Sequence, residues 1–444
     1  MFRKLFWVIG VFIFVLGLIF FSTLFFTIIS KKEYPIKSDK KVFIKKDGEQ
    51  FTLIKDGKPF FIKGGSGYTN IRELSEIGGN TIRTWDTTNI EGILNEAAKY
   101  NIAVIVGLDM PYSGYNDSFY SDQEQVNNQY LSYKKIVKKY RNHPALLMWC
   151  LGNELDFHLG LGYDNFYKTF QNLLLMIKSI DPNHPITTTV YARGKKDLAC
   201  FKVYNLDIDI VSLNKFGNLH TFKEELKKDN WLWEWPFLVT EWGYHGPWEK
   251  NMTSWGAPFE DNDSLKAARL EFVYQNYLPH EHSGFLGSLV FFWGQKQERT
   301  HTWFSLFDAK GRKTRSFESI EQLFRDSLIN FSAPYITSLS IEGNKVPKNI
   351  ILTPGKKVTA NTTSVDPNGD SLIYKWEIYK EQWYYTIRVI NNRPENYNHL
   401  ITFTQNNKME FITPKQDGPY RLFVYVYDGT GNIGTANVPF YILK

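Results

Sequence analysis

Two glutamates stand directly after apolar segments that have the composition of buried β-strands. Glu154 follows the segment LLMWCLGN, and Glu241 follows residues 237–240, FLVT. One glutamate at such a place is adequately explained as a solvated turn residue. Two of them, each preceding an aromatic-rich stretch, are better explained as an acid/base pair, and this pair is the main catalytic hypothesis from the sequence.

Two opposed carboxyl groups are the chemistry of glycosidic bond cleavage. One must be protonated to donate to the leaving oxygen, while the other must be ionised to attack the anomeric carbon. The chain is rich in aromatic residues, with 13 Trp, 26 Tyr and 34 Phe. Because flat apolar sugar faces stack on such rings, we expect Trp242, Trp248 and Trp293 to form sugar-binding platforms.

The elements that would position these groups form a repeating pattern. Eight short apolar runs alternate with amphipathic helical stretches, which is the count of a (β/α)8 TIM barrel, an α/β fold. A doubly wound open sheet is the alternative, but no glycine-rich phosphate fingerprint follows the first run. In a barrel, Glu154 and Glu241 fall at the carboxyl ends of strands four and seven. The runs are residues 60–63, 80–85, 102–108, 146–151, 186–190, 210–213, 237–240 and 285–293.

The segment NHPALLMWCLGNELD resembles the acid/base signature of the family 2 glycoside hydrolases, within the larger clan of retaining barrel enzymes. This resemblance covers about residues 55–328. It implies that Glu154 is the acid/base, Asn153 holds the sugar 2-hydroxyl and Glu241 is the nucleophile. The motif NTIRTWD places Arg83 where the clan has an arginine that supports the nucleophile. Trp293 matches the strand-eight tryptophan beneath the sugar.

The sequence departs from that family at several places. Phe216, in the segment VSLNKFG, stands where the clan usually has a tyrosine hydrogen-bonded to the nucleophile. Tyr244 is therefore a candidate to replace that tyrosine, and Asn214 is a further candidate for substrate binding. The two β-sandwich domains that normally precede a family 2 barrel are absent, and GGSGY lacks the family's histidine motif. The sugar specificity is accordingly left open.

The carboxyl-terminal residues 334–444 have a different pattern, with short alternating strands, turns and no helical period. This predicts an all-β immunoglobulin-like sandwich. The segments DPNGDSLIYKW and DGTGNIGTA resemble polycystic-kidney-disease and cadherin-like modules. Calcium ligation and ordinary turn chemistry both account for four polar residues in these segments, and we predict no metal and no cofactor for the protein. The four are Asp366, Asn368, Asp370 and Asp428.

The amino-terminal residues 1–30 are predicted to be a transmembrane signal anchor. Residues 5–29 contain no charged side chain, and 25 residues of helix at about 1.5 Å each exceed a bilayer core of about 30 Å. A cleaved signal peptide is the alternative. A Lys-rich solvated spacer is predicted over 31–46 and the barrel with its amino-terminal hairpin over 47–330. We place the catalytic domain outside the cytoplasm, anchored by this single pass.

The charge distribution argues against a nucleic-acid partner. The formal net charge is +6, and the first 46 residues hold nine of the cations against two anions. The rest of the chain is nearly neutral, whereas phosphate binding requires clustered cations. Two cysteines cannot form a disulfide framework or a zinc knuckle.

The sequence therefore predicts a membrane-anchored retaining glycosidase or endo-glycanase that acts on β-linked oligo- or polysaccharides. A transglycosylase, in which an acceptor sugar replaces water, shares the same first half-reaction. A non-catalytic glycan-binding protein of the cell envelope is the alternative from another class, and Phe216 is its best support. The retention of both glutamates and of Asn153 argues against this alternative.

Overall fold

The computed structural model describes residues 32–113, 117–160, 162–191, 195–228, 235–345, 347–381 and 393–444. Within these ranges, no helix combines the length and the apolar character needed to cross a bilayer. The predicted transmembrane anchor, residues 1–30, lies outside the described residues.

The first described element is a small antiparallel sheet that packs against one end of the barrel. Its strands are β1 (Val42–Asp47), β2 (Gln50–Lys55) and β3 (Lys58–Pro59). Val42 and Ile44 alternate with more exposed residues in β1, and they join a core cluster with barrel-strand residues such as Ile105. The apolar alternation of a strand thus places residues 42–46 in a packed sheet.

The amino-terminal spacer predicted over 31–46 therefore differs from the structure. Besides the strand at its end, Lys32 forms ion pairs with Asp207 at 2.5 Å and with Asp209 at 2.8 Å. Tyr34 packs edge-on against Phe51, with ring centroids 5.2 Å apart. Complementary charges and an aromatic contact hold this segment against the barrel, which a count of lysines alone does not reveal.

Eight parallel strands close into a barrel, which confirms the predicted TIM-barrel architecture. Neighbouring strands pair in chain order, and β11 closes the ring by pairing with β4. Every residue of β6 and β7 is buried, as expected for parallel strands covered on both faces. The strands are β4 (Ile62–Ser66), β5 (Thr81–Arg83), β6 (Ala103–Leu108), β7 (Leu146–Leu151), β8 (Ile186–Tyr191), β9 (Ile210–Asn214), β10 (Phe237–Gly243) and β11 (Phe285–Phe291).

Helices connect these strands on the outside of the barrel. Several begin at polar caps: Asp122 accepts hydrogen bonds from the backbone N–H groups of Glu124 and Gln125, and Asn262 accepts one from that of Leu265. The helices are α1 (Ile71–Glu76), α2 (Ile90–Lys99), α3 (Asp117–Ser121), α4 (Gln123–Tyr140), α5 (Asp164–Ile180), α6 (Lys195–Val203), α7 (Phe222–Lys228), α8 (Asp263–Asn276) and α9 (Arg315–Arg325).

Between residues 335 and 442, the described residues form two β-sheets that share one apolar core. One sheet has the strand order β14-β13-β16-β19-β18, and the other contains β17, β20 and β21. The strands are β12 (Lys313–Thr314), β13 (Tyr335–Ile341), β14 (Asn344–Lys345), β15 (Ile351–Leu352), β16 (Lys357–Val365), β17 (Ile373–Lys380), β18 (Ile401–Gln405), β19 (Lys408–Ile412), β20 (Gly418–Tyr427) and β21 (Asn432–Ile442).

The sandwich joins the barrel through a shared strand pair and buried polar contacts. Strand β12, which precedes helix α9 of the barrel, pairs in parallel with β21. Buried Arg421 donates to Glu381 at 2.6 Å, to Asn437 at 2.6 Å and to the backbone carbonyl of Pro258 at 2.8 Å. Asn437 also donates to Glu260 of the barrel at 2.7 Å. The interface is therefore specific and hydrogen-bonded.

The acidic residues weighed for calcium lie in turns of the sandwich. Ligand oxygens of Asp366, Asp370 and Asp428 lie within 4.8 Å of one another. The Asp366 carboxylate accepts hydrogen bonds from the backbone N–H groups of Asn368 and Asp370, both at 2.9 Å. These hydrogen bonds are the turn chemistry that the sequence offered as the alternative to metal ligation.

Candidate active site

The carboxylate of Glu241 lies near the carboxyl end of strand β10, inside the barrel. Successive side chains of a strand point to opposite faces, so the next residue, Trp242, points outward. Trp242 is fully buried and packs on Tyr274 of helix α8, with ring centroids 5.5 Å apart. The prediction of Trp242 as a sugar platform is therefore wrong, because strand alternation turns it toward the helices.

Two hydrogen-bond donors hold the same oxygen of Glu241. The Nη1 group of Arg83 donates to Oε1 at 2.8 Å, and the indole Nε1 of Trp85 donates to it at 2.9 Å. The side chains of Arg83 and Glu241 are 1% and 7% exposed, so this ion pair is shielded from water. A buried guanidinium supplies the counter-charge that an ionised Glu241 needs.

Arg83 also connects Glu241 to the strand that carries the other glutamate. Its Nη2 group donates to Oδ1 of Asn153 at 2.5 Å and to the hydroxyl of Thr189 at 3.0 Å. The predicted support of the nucleophile by Arg83 agrees with this geometry. The same guanidinium fixes the amide orientation of Asn153, next to Glu154.

Glu154 lies in a tight turn immediately after strand β7. Gly152 has φ 77° and Glu154 has φ 51°, both in the left-handed region. A side chain at position 152 would clash with Leu155, because a Cβ there would lie 2.3 Å from its Cδ1. The turn carries Glu154 from the end of the strand to the side chain of Asn214, whose Nδ2 donates to Oε1 of Glu154 at 2.8 Å.

Asn214 is itself oriented by the strand of the second glutamate. The hydroxyl of Thr240 donates to Oδ1 of Asn214 at 3.0 Å, which leaves the Nδ2 group to face Glu154. Asn214 is buried, and its predicted place at the site is consistent with these contacts. Its observed partner is the Glu154 carboxyl group, a role that the sequence did not specify.

The environment of Glu154 favours its protonated form. Burial raises the pKa of Glu154 to about 7, and the nearby charge of Glu241 adds to the increase. The hydrogen bond from Asn214 and the charges of Arg83 and Lys296 act in the opposite direction. Near neutral pH a substantial fraction of Glu154 is therefore a carboxylic acid that can donate a proton.

Two further aromatic predictions are wrong. Trp293 is fully buried: it packs on Phe307 and Phe317, and its indole N–H donates to the backbone carbonyl of Asn70 at 3.2 Å. Tyr244 does not replace the missing clan tyrosine, since its hydroxyl accepts from the backbone N–H of Asp261 at 3.2 Å. Both rings are buried, and Tyr244 packs against Trp303 with ring centroids 6.1 Å apart.

Trp248 remains a candidate platform at the mouth. It lies on a short 3-10 turn after β10, is 42% exposed and meets Phe216 edge-on, with ring centroids 5.8 Å apart. Phe216 belongs to an apolar cluster with Phe291 and Phe304. Phe216 thus presents an apolar surface at the position where the clan usually has the hydroxyl group of a tyrosine.

The sequence reading missed three residues of the site. Trp85 donates to Glu241, Thr189 accepts from Arg83, and Phe292 stacks on Trp85 with centroids 5.7 Å apart and planes 14° apart. The sequence could have indicated Trp85 as a site residue, because it stands two residues after Arg83 in NTIRTWD and therefore lies near the same strand end. No motif in the sequence indicated that Thr189 or Phe292 belongs to the site.

Comparison with known proteins supports the sequence resemblance. The family model "Glycosyl hydrolases family 2, TIM barrel domain" matches residues 71–260. The β-glucuronidase of Rattus norvegicus is 26% identical over 221 residues, covering 42% of this chain and 32% of the relative. Mannan endo-1,4-β-mannosidase F of Aspergillus clavatus is 27% identical over 205 residues, covering 33% of this chain and 46% of the relative.

Solved structures show the same fold. A family 2 β-galacturonidase of Eisenbergiella tayi superimposes with a TM-score of 0.51 at 17% identity, covering 66% of this chain and 55% of that chain. The chain matches about a third of the length of the curated β-glucuronidases. The family match ends at residue 260, so it does not include the sandwich, whose resemblance to polycystic-kidney-disease and cadherin-like modules remains a prediction. Residues 71–260 are thus identified as a TIM barrel domain of the family 2 glycoside hydrolases, as the resemblance predicted.

Proposed function

We propose that the protein is a retaining glycoside hydrolase that cleaves β-linked glycans through a covalent intermediate on Glu241. The observation that carries the proposal is the contrast between its two carboxyl groups. Glu241 is paired with a buried guanidinium, while burial and the neighbouring charge keep a substantial fraction of Glu154 protonated near neutral pH. A neutral acid beside an ionised nucleophile is what a retaining mechanism requires.

In the first step, Glu241 attacks the anomeric carbon and forms a glycosyl ester. The bond to the leaving oxygen breaks, and Glu154 gives its proton to that oxygen. Asn153 has its Oδ1 occupied by Arg83, so its Nδ2 group is the one that can donate to a sugar hydroxyl. This is the interaction that the family resemblance implies for the 2-hydroxyl.

In the second step, the ionised Glu154 takes a proton from water as the water oxygen attacks the anomeric carbon. The ester bond to Glu241 breaks and the carboxylate is restored. Glu154 makes both proton transfers and Glu241 forms the covalent bond, so this scheme needs no metal or cofactor. A transglycosylase would follow the same route with a sugar hydroxyl in place of water, and product analysis for longer oligosaccharides separates the two.

The substrate class is proposed from the chemistry of the site and from the relatives. The matched relatives include β-glucuronidases and an endo-β-mannosidase, which all act on β-linked sugars by their names. Exposed Trp248 offers an aromatic surface beside the mouth for a further sugar unit. We place the substrate among β-linked oligo- and polysaccharides.

We also propose that residues 1–30 anchor the enzyme in a membrane, with the catalytic domain outside the cytoplasm. The support is the uncharged apolar run at 5–29. Membrane fractionation of the full chain, with and without residues 1–30, tests this. Recovery of the full chain in the soluble fraction without alkaline or detergent extraction would contradict the anchor.

The activity is tested by screening the full chain against aryl β-glycosides, including glucuronides, galacturonides and mannosides, and against β-mannan and β-glucan. A 2-deoxy-2-fluoro glycoside of the preferred sugar should label Glu241 covalently, and mass spectrometry of the peptide containing residues 237–243 identifies the site. Hydrolysis without any labelling, or with label on another residue, would contradict the retaining mechanism.

A further inference from the structure

The two oxygens of the Glu241 carboxylate have different surroundings. Among the described residues, the donors from Arg83 and Trp85 both reach Oε1, and none is found at Oε2. A carboxylate oxygen that already accepts two short hydrogen bonds is a poorer nucleophile than its neighbour, because its lone pairs are engaged. The geometry therefore distinguishes an attacking oxygen from a held oxygen.

We propose that Oε2 of Glu241 attacks the anomeric carbon and that Trp85 is a positioning residue that promotes release of the sugar from Glu241 in the second step. The inference rests on the proposed function and deepens it. It assigns to an indole, two residues beyond the end of the second barrel strand, a role in hydrolysis of the covalent intermediate.

The reason is the change of charge on Oε1 during the reaction. In the free enzyme the negative charge of the carboxylate is shared between Oε1 and Oε2, whereas in the ester Oε1 is a neutral carbonyl oxygen. A hydrogen bond to a charged acceptor is stronger than one to a neutral acceptor, so the indole N–H favours the carboxylate. When water attacks and the anomeric carbon–Oε2 bond breaks, the electron pair returns to the carboxylate and the N–H stabilises it.

The indole is held firmly enough to act in this way. Trp85 stacks on Phe292 and meets Phe291 edge-on, with centroids 6.1 Å apart. The guanidinium of Arg83 lies over the Trp85 ring, 5.4 Å from its centroid. The N–H therefore does not have to be reoriented during catalysis. An indole N–H can only donate, whereas a phenol can ionise with a pKa of about 10.

The test is steady-state and burst kinetics of Trp85→Phe, which keeps an aromatic ring but removes the N–H. The substrate is the dinitrophenyl β-glycoside of the preferred sugar, whose fast first step leaves the second step to set kcat. We expect kcat and KM to fall together by roughly tenfold, the size of one hydrogen bond to a charged group. The ratio kcat/KM should change less than about threefold, because it reports the first step. A burst of one dinitrophenolate per enzyme should persist.

The matched control is Trp293→Phe, the same substitution at a buried indole whose N–H donates to the backbone carbonyl of Asn70 and not to Glu241. We expect it to retain kcat within about threefold and to lack the parallel fall in KM. Equal losses of kcat and kcat/KM in Trp85→Phe would show that the indole acts only in packing or in the first step, and would overturn the inference. So would an unchanged kcat. A wild-type enzyme without burst or covalent labelling would instead overturn the proposed function itself.

Discussion

The two strand ends that carry the glutamates are built in opposite ways. Glu241 lies within the buried strand β10, and two donors fix one of its oxygens. Glu154 leaves its strand through a left-handed turn, and among the described residues its hydrogen bond comes from the neutral amide of Asn214. The same residue type is thus stabilised as an anion at one strand end and as an acid at the other.

The two residues are of the same type, so the difference in their charge state comes from the local backbone and from the hydrogen-bond partners of each carboxyl group. A charged guanidinium offsets the desolvation cost of Glu241, while Glu154 is partly buried and has no cation in direct contact among the described residues. Substitutions at the two ends should therefore differ in the step they affect, in pH dependence and in stability.

The largest effect is expected for Glu241→Ala. Without the nucleophile no covalent intermediate forms, so hydrolysis should fall by at least about 10⁴-fold for all leaving groups. Azide should restore turnover by attacking from the vacated face and should give an α-glycosyl azide, identified by NMR. A β product from this variant would reverse the assignment of the two glutamates.

Glu154→Ala should be milder and should depend on the leaving group. We expect a loss of about 10²–10⁴-fold on substrates that need protonation, since that is the usual contribution of general acid catalysis. A dinitrophenyl glycoside needs no acid in the first step, so the intermediate should accumulate, and azide should give the β-glycosyl azide. Equal losses on activated and unactivated substrates would contradict the acid role.

The pH profile should sharpen the difference between the two ends. Activity should fall as the pH rises and Glu154 loses its proton. The alkaline limb of the pH–activity profile should have its midpoint near the Glu154 pKa of about 7. The Asn214 hydrogen bond and the Lys296 charge both lower the pKa of Glu154. Asn214→Ala and Lys296→Met should therefore move the limb to higher pH, with the larger shift in Asn214→Ala. A shift to lower pH in either variant would contradict this electrostatic picture.

The smallest predicted effect is on stability, and its sign should differ between the two glutamates. The folded pKa of Glu154 is raised above its ordinary value of 4.5, so the folded state binds more protons and loses stability as pH rises from about 4.5 to 7. Glu154→Gln should remove this loss and raise the unfolding free energy at pH 8 by roughly 1–3 kcal/mol. Glu241→Gln should lower it, because Arg83 loses its buried partner. Thermal unfolding of both variants at pH 5 and pH 8 measures the contrast.

The sequence predicted the barrel and the position of the two glutamates at its strand ends because both depend on local patterns. Unbroken apolar runs identify buried parallel strands, and a polar residue at the carboxyl end of such a run, as at Glu154 and Glu241, reaches the mouth. Trp242 and Trp293 were wrongly predicted to face the sugar. Both side chains are fully buried, and the direction of a side chain depends on the register of its strand and on what packs against it. The motif NTIRTWD places Trp85 near the same strand end as Arg83, but its hydrogen bond to Glu241 joins residues far apart in the chain, which no local pattern encodes.

The docking of the sandwich has a consequence for how this chain can be cut and recombined. The sequence predicts that residues 334–444 form a separate immunoglobulin-like sandwich. Yet Thr435 donates to the buried carboxylate of Asp263 through its backbone N–H at 2.6 Å and its hydroxyl at 3.0 Å, and Asn437 covers Glu260. A fragment ending at residue 333 would uncover two acidic groups of the barrel and leave strand β12 without its neighbour β21. The sequence pattern changes at Pro334, but the packing between the barrel and the sandwich continues across this position. Any transfer of this barrel into another protein must therefore include its sandwich.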